Sequence, residues 1–168
     1  MIKYISLFAG IGGFELGFKY AAEIHNINIK CVFASEFDPL SKAKDMNKQP
    51  ARIIYHKNFK RWPDGDITKI NAADIPDHEI LVAGVPCQAW SIAGNRCGFE
   101  DSRGTMWYEV FRIMEKKKPK IALLENVKGI LSHDNGRSFE LICKELNRIG
   151  YSVRIETYNT KDYGLPQN

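Results

Sequence analysis

The chain is short of the features that would assign it to several large classes of protein. No apolar run approaches the roughly 18 residues of a membrane-spanning helix, so no such span is expected. Its four cysteines, Cys31, Cys87, Cys97 and Cys143, are widely spaced. They form no C-x-x-C pair and have no histidines nearby at zinc-ligand spacing, which argues against a metal site and against a disulfide framework. The amino terminus, Met1-Ile2-Lys3-Tyr4-Ile5, enters a strand-like segment directly, without the charged, apolar and small-residue regions of a signal peptide. A cytoplasmic location is therefore expected. There are no internal repeats and no low-complexity stretch. Charge of one sign is also scarce: the formal net charge is +4, which permits nucleic-acid binding without demonstrating it.

What is present is an ordinary globular composition in 168 residues, 44% hydrophobic and 26% charged, enough for one domain spanning residues 1–168. Apolar patterning predicts strands at Lys3–Phe8, Ile29–Ser35, Glu79–Gly84, Ile121–Leu124 and Tyr151–Tyr158, with a short third strand near Arg52–His56. The Ile121 run reads as the most clearly buried strand. Helices are expected at Phe14–Ile24, from Asp38-Pro39 to about Met46, at Thr105–Lys117 and at Gly136–Gly150. Cys31 and Cys143 fall in apolar-periodic segments and read as core. His56 and His78 read as surface or satisfied structural histidines, and the Lys116-Lys117-Lys118 run as a solvated helix end. The β-α alternation predicts an α/β fold with a doubly wound, mostly parallel sheet whose ligands gather at the strands' carboxyl ends.

Four groups fall at that edge. Ala9-Gly10-Ile11-Gly12-Gly13 joins the first strand to the first helix, where glycines allow close ligand approach and helix amides point outward. It is not the dinucleotide fingerprint, because Glu15 stands where G-x-G-x-x-G needs glycine. Glu36 ends the second strand, at the position where doubly wound folds bind ribose hydroxyls; a solvated loop carboxylate would look the same. Cys87 follows the strand ending at Gly84. A free thiol needs an activating, partly exposed setting to act as a nucleophile, and most free cysteines are simply small buried residues. Glu125 ends the next strand. The run 93–104, dense in glycine and charge, has the length of a lid or binding loop.

Phe8-Ala9-Gly10-Ile11-Gly12-Gly13, Gly84-Val85-Pro86-Cys87-Gln88, Asp101-Ser102-Arg103-Gly104-Thr105 and Glu125-Asn126-Val127, in this order and spacing, resemble the DNA (cytosine-5) methyltransferases of bacterial restriction-modification systems. The resemblance runs from Leu7 to Asn168. It implies a Rossmann-like fold that uses S-adenosylmethionine to methylate carbon 5 of cytosine in duplex DNA. It makes Cys87 the nucleophile at carbon 6, Glu125 the group holding the ring's N3 edge, and Asn126 its positioning partner. Phe8, Gly10, Ile11, Gly12 and Gly13 would surround the methionine moiety, Glu36 would bind the ribose, and Phe37, Asp66 and Ile67 would contact the adenine. Pro86, Gln88, Trp90, Ser91 and Arg103 would belong to the loop that closes over the extruded base. Ala93 stands where some members carry serine, and Arg96 is a candidate phosphate contact.

Tyr163-Gly164-Leu165-Pro166-Gln167-Asn168 resembles the opening of a motif that in the family continues into arginines contacting the cytosine. The last strands, the target-recognition region and the late motif completing the cofactor pocket would lie beyond it. The chain reads either as a fragment or as one part of an enzyme split between two polypeptides; the expected partners are duplex DNA and, in the split case, a second polypeptide carrying the target-recognition region, with no membrane and no metal, and activity is expected to need that missing part. The alternatives are a tRNA cytosine-5 methyltransferase and a non-catalytic domain that binds cofactor or partner.

Overall fold

A computed structural model describes residues 1–86 and 106–165. They form two compact units, Met1–Asn126 and Val127–Asn168.

The first unit is built on a four-stranded parallel sheet: β1 (Ile2–Leu7), β2 (Ile29–Ser35), β3 (Ile80–Gly84) and β4 (Ile121–Glu125), in the order β2-β1-β3-β4. β1 pairs on one side with β2 and on the other with β3, so the strand order reverses between β1 and β3. In an open parallel sheet that reversal leaves a crevice at the strands' carboxyl ends, because the connections leave in opposite directions. The residues after Leu7 and after Gly84 flank that crevice. β1 and β3 are central, and Ile5, Leu7, Leu81, Val82 and Ala83 along them are fully buried, as expected of strands covered on both faces.

Helix α1 (Gly13–His25) follows the glycine turn; helix α2 (Pro50–Phe59) starts with proline at its first position and ends at Lys60 in the left-handed region. α3 (Met106–Lys117) buries Trp107, Val110, Phe111, Ile113 and Met114. Lys117 does more than end a solvated helix: its Nζ donates to Ala73 O at 3.1 Å and to Asp77 at 3.2 Å, tying α3 to the 3-10 turn at Ala72–Asp74 and the loop after it.

Several expectations are corrected. The Arg52–His56 segment is helical: the β-branched pair Ile53-Ile54 suggests a strand, but Pro50 at the helix start and the complete burial of Tyr55 fix the helix instead. No helix forms between Asp38 and Met46; Asp38 Oδ1 accepts from Leu40 N at 2.9 Å, closing a local turn, and only a 3-10 turn appears, at Met46–Lys48. β4 is not the most buried strand, since Ile121 and Leu123 are 58% and 51% exposed. Among the described residues it stands at the end of the strand order, with one neighbour. Cys31 and Cys143 are half-buried rather than core; burial still pushes both thiols upward. His78 is buried with Nδ1 2.7 Å from Pro76 O, and the His56 ring stacks on Trp62 at 4.3 Å, both in structural roles.

The second unit contains 3-10 turns at Lys128–Leu131 and His133–Gly136, followed by α4 (Arg137–Arg148). Ile130, Ile142 and Leu146 are its buried apolar residues, and His133 Nδ1 lies 2.7 Å from Ser138 Oγ. The strand expected at Tyr151–Tyr158 is absent, and the segment takes no regular structure. Its alternation is right for a strand, but an isolated strand has no stability without a ladder. Among the described residues no helix is long and apolar enough to cross a membrane, and no cluster of His, Cys, Asp and Glu could hold a metal ion.

Candidate cofactor and catalytic site

The turn after β1 is unusual before its first glycine. Phe8 has φ +54°, a left-handed conformation that costs a bulky residue of order 1–3 kcal/mol and persists only where its surroundings over-determine it. Here Ala9 N donates to Ser35 O at 2.9 Å, and Gly12 N donates back to Ala9 O at 2.9 Å. Gly10 and Gly12 continue the left-handed path at φ +56° and +95°. The far end of α2 braces the same turn: Asn58 Nδ2 donates to Ile11 O at 3.2 Å, and the Phe59 ring lies so close to Gly12 that a Cβ there would overlap it. Outward, a Cβ at Gly10 or Gly13 would meet nothing within 4 Å. The turn is thus supported from behind and open in front, the cradle expected where backbone approaches a ligand.

Glu36 faces this turn. Its Oε2 accepts from Gly10 N at 2.7 Å, which leaves Oε1 without a recorded partner among the described residues. Burial is the largest influence on the carboxyl and raises its pKa above the ordinary 4.5; the Gly10 amide and the Arg52 guanidinium offset part of that rise. Beside it, residues 64–67 run along the end of β2: Ser35 and Asp64 form a parallel bridge, Glu36 N donates to Asp64 O at 3.0 Å, and Asp64 N donates to Ala34 O at 2.7 Å. Asp66 caps the 3-10 turn Ile67–Lys69, with Oδ1 accepting from Thr68 N and Thr68 Oγ1, and Ile67 is buried. Phe8, Gly10, Ile11, Gly12, Gly13 and Glu36 therefore stand together, with Asp66 and Ile67 on the segment alongside and Phe37 half-buried next to Glu36.

On the other side of the strand reversal, Gly84 pairs in register with Glu125. The Glu125 carboxylate lies over Gly84, where an added Cβ would come 3.4 Å from Oε2. Asn126 Nδ2 donates to Val85 O at 2.9 Å, and Val85 N donates to Glu125 O at 3.2 Å. Two bonds thus fix Val85, and with it the approach to Pro86, from the end of β4. The Asn126 Oδ1 atom is buried without a partner among the described residues, an acceptor held in place at a site that needs polar groups. Cys87, Gln88, Trp90, Ser91 and Arg103, with Ala93 and Arg96, lie outside the described residues.

Sequence patterning missed Gln49, Arg52, Asn58, Phe59 and Asp64. Asp64 carried a weak signal, since Asp64-Gly65-Asp66 reads only as a turn. The others carried none, because their partners are main-chain atoms of distant segments.

The same constellation recurs in known proteins. The description C-5 cytosine-specific DNA methylase fits residues 2–168. Type II methyltransferase M.HhaI of Haemophilus parahaemolyticus is 43% identical over 166 residues, covering 99% of this chain and 46% of that protein. Type II methyltransferase M.SsoII of Shigella sonnei is 47% identical over 167 residues, covering 99% and 40%. The chain thus spans less than half the length of these relatives. Among solved structures, a DNMT2 variant of Spodoptera frugiperda superimposes with TM-score 0.59 at 21% identity, over 88% of this chain and 42% of that one. A DNA modification methyltransferase from an E. coli prophage gives 0.61 at 23%, over 88% and 38%; both report on the fold alone. With a family match running almost end to end over the strands, turns and carboxylates just described, this chain belongs to the C-5 cytosine-specific DNA methylase family.

Proposed function

We propose that the chain is the amino-terminal catalytic part of an enzyme that methylates carbon 5 of cytosine in duplex DNA within a restriction-modification system. The observation that carries this reading is the pairing of the two edge sites across the strand reversal. A braced glycine turn with its carboxylate lies on one side, and Glu125-Asn126 holding the approach to Cys87 lies on the other. The first suits S-adenosylmethionine: Glu36 keeps acceptor capacity for ribose hydroxyls, residues 64–67 with Phe37 offer a wall for the adenine, and the open face of the glycine turn has room for the methionine part.

In this mechanism the Cys87 thiolate adds to carbon 6 of an extruded cytosine, and the electron pair of the 5,6 double bond shifts through carbon 4 onto N3, leaving carbon 5 as a nucleophilic enamine carbon. Glu125, at the end of β4, holds the proton on the N3 edge, so addition builds no free anion on the pyrimidine. Asn126 holds Val85 and hence the start of the Pro86-Cys87 segment, so nucleophile and carboxylate keep a common frame. S-adenosylmethionine, when bound, would supply the methyl group to carbon 5 and leave as S-adenosylhomocysteine. Loss of the carbon-5 proton to a base then drives out the Cys87 thiolate and restores the aromatic ring. Sequence reading by base-edge contacts falls to a target-recognition region supplied by a carboxyl-terminal part, and the enzyme works in the cytoplasm.

The test is trapping on duplex DNA containing 5-fluorocytosine, with S-adenosylmethionine, using the chain alone and with a supplied carboxyl-terminal half. Fluorine blocks the final elimination. The expected result is a covalent adduct mapped to Cys87 by mass spectrometry, formed with the added half and weak or absent without it. Adduct formation undiminished in Cys87→Ser overturns the assignment, and tRNA outcompeting duplex DNA for the adduct overturns the substrate.

A further inference from the structure

The segment carrying Glu36 and Phe37 has no helix or strand of its own to hold it, yet Glu36 reaches Gly10 N with a 2.7 Å bond. Its restraint comes from the start of α2. Arg52, in the first turns of that helix, is only 3% exposed. A guanidinium is seldom buried so far unless donors are matched; here Nη1 is spent on two main-chain oxygens, while Nε is buried without a partner among the described residues. Its Nη1 donates to Glu36 O at 2.6 Å and to Asp64 O at 2.7 Å, and its Nη2 reaches Asn47 Oδ1 at 3.4 Å. One side chain therefore fastens together the ends of the two segments assigned to the ribose and the adenine.

Gln49, immediately before α2, is also 3% exposed. Its Nε2 donates to Asp38 O at 2.9 Å and its Oε1 accepts from Asp38 N at 3.0 Å, so the amide closes a two-bond ring with the main chain. The run Glu36-Phe37-Asp38 is thus gripped at its first residue by Arg52 and at its last by Gln49. Grip at both ends matters because a ligating carboxylate misplaced by about 1 Å loses most of its binding contribution.

We infer that Arg52 and Gln49 are positioning residues for ribose recognition, setting the Glu36 carboxylate and joining it to the 64–67 segment without touching the ligand. This rests on the reading of that edge as the S-adenosylmethionine pocket. The planar fork of arginine can serve both carbonyls together, whereas a lysine ammonium is a point donor on a flexible stem and serves them less well.

The experiment is calorimetric or NMR titration of the full chain with S-adenosylhomocysteine, for the unmodified protein, Arg52→Met, Arg52→Lys and Gln49→Leu, each repeated in a Glu36→Ala background, with thermal melts on every variant. Arg52→Met is expected to weaken binding by about tenfold and Gln49→Leu by about threefold, with Arg52→Lys in between, and these losses should shrink below about twofold once Glu36 is removed, as coupling through a shared group requires. A purely structural role would give the same loss in both backgrounds, and that result overturns the inference. So does unchanged affinity in all three variants while Glu36→Ala weakens binding. Where Arg52→Met fails to fold, Arg52→Lys and Gln49→Leu decide by the same cycle. Binding that Glu36→Ala leaves intact, or no binding by the unmodified chain even with the carboxyl-terminal half supplied, overturns instead the cofactor reading beneath it.

Discussion

At the β1/β2 end of the sheet, the glycine turn, the Glu36 segment and residues 64–67 are cross-tied by main-chain bonds, by both ends of α2 and by the Gly10–Glu36 contact. At the β3/β4 end, two bonds link the approach to Cys87 with Glu125-Asn126, and Glu125 itself is exposed on the strand that ends the order among the described residues. The side proposed to hold the cofactor is braced within residues 1–67. The side proposed to meet the base is a carboxylate over Gly84 beside a strand exit, an arrangement that suits chemistry on an extruded base. A pocket that holds a small diffusing ligand gains from being preformed; a site that receives part of a duplex must first let it in.

That contrast predicts that the first side breaks as structure and the second as chemistry. The largest effect is expected at Gly12. A methyl group there takes on both the left-handed φ of +95° and overlap with the Phe59 ring, so Gly12→Ala should cost about 2–4 kcal/mol in urea unfolding. S-adenosylhomocysteine binding should fall with it. At Gly10 a Cβ meets open space, and Gly10→Ala should cost only the backbone term, about 1–2 kcal/mol. Equal costs at the two positions would show that α2 does not brace the turn.

Much of this arrangement was legible in the sequence. β2 spans Ile29–Ser35 as patterned, β1, β3 and the helices α1, α3 and α4 fall within a residue or two of their expected limits, and the motifs marked both sides of the crevice. What was illegible follows one physical rule: it depends on partners far away in the chain. Ile53-Ile54-Tyr55 has the composition of a strand, and it is Pro50 at the helix start together with the burial of Tyr55, its hydroxyl donating to Glu15 at 3.0 Å, that makes the helix the better solution. Arg52 and Gln49 bond to carbonyls and amides, which every residue has, so no pattern of side chains announces them. Ile121-Ala122-Leu123-Leu124 looks like a central strand because composition cannot say how many neighbours a strand has. Tyr151–Tyr158 fails as a strand for the same reason: alternation is present and the ladder is not.

A middle-sized effect is expected at Asn126. Asn126→Ala removes the bond to Val85 O and leaves that carbonyl to other partners, a loss of about 1–2 kcal/mol. Because Asn126 lies on the base side, S-adenosylhomocysteine affinity should stay within about twofold while the rate of adduct formation on 5-fluorocytosine DNA, measured with the carboxyl-terminal half present, falls about tenfold. A matching loss of cofactor affinity would mean that the two sides of the crevice are one mechanical unit, and the contrast drawn between them would fail.

The smallest effect is the pH response of Glu36. Its pKa in the fold is raised above 4.5, chiefly by burial, so the native state binds the proton more readily than the unfolded chain does. Stability from this group is therefore fully present below the unfolded value and is lost as pH rises through the folded one. Binding of the proposed ligand should have the opposite slope, because only the carboxylate offers both oxygens as acceptors, one to Gly10 N and the other to the proposed ribose hydroxyl. S-adenosylhomocysteine affinity should thus fall severalfold as pH is lowered through a midpoint above 4.5, while the unliganded fold gains slightly over the same interval. Titration of affinity and of melting temperature against pH, for the unmodified chain and Glu36→Gln, separates the two slopes. Glu36→Gln should flatten both, and a midpoint that survives it belongs to another carboxylate, which would move the ribose contact away from the end of β2.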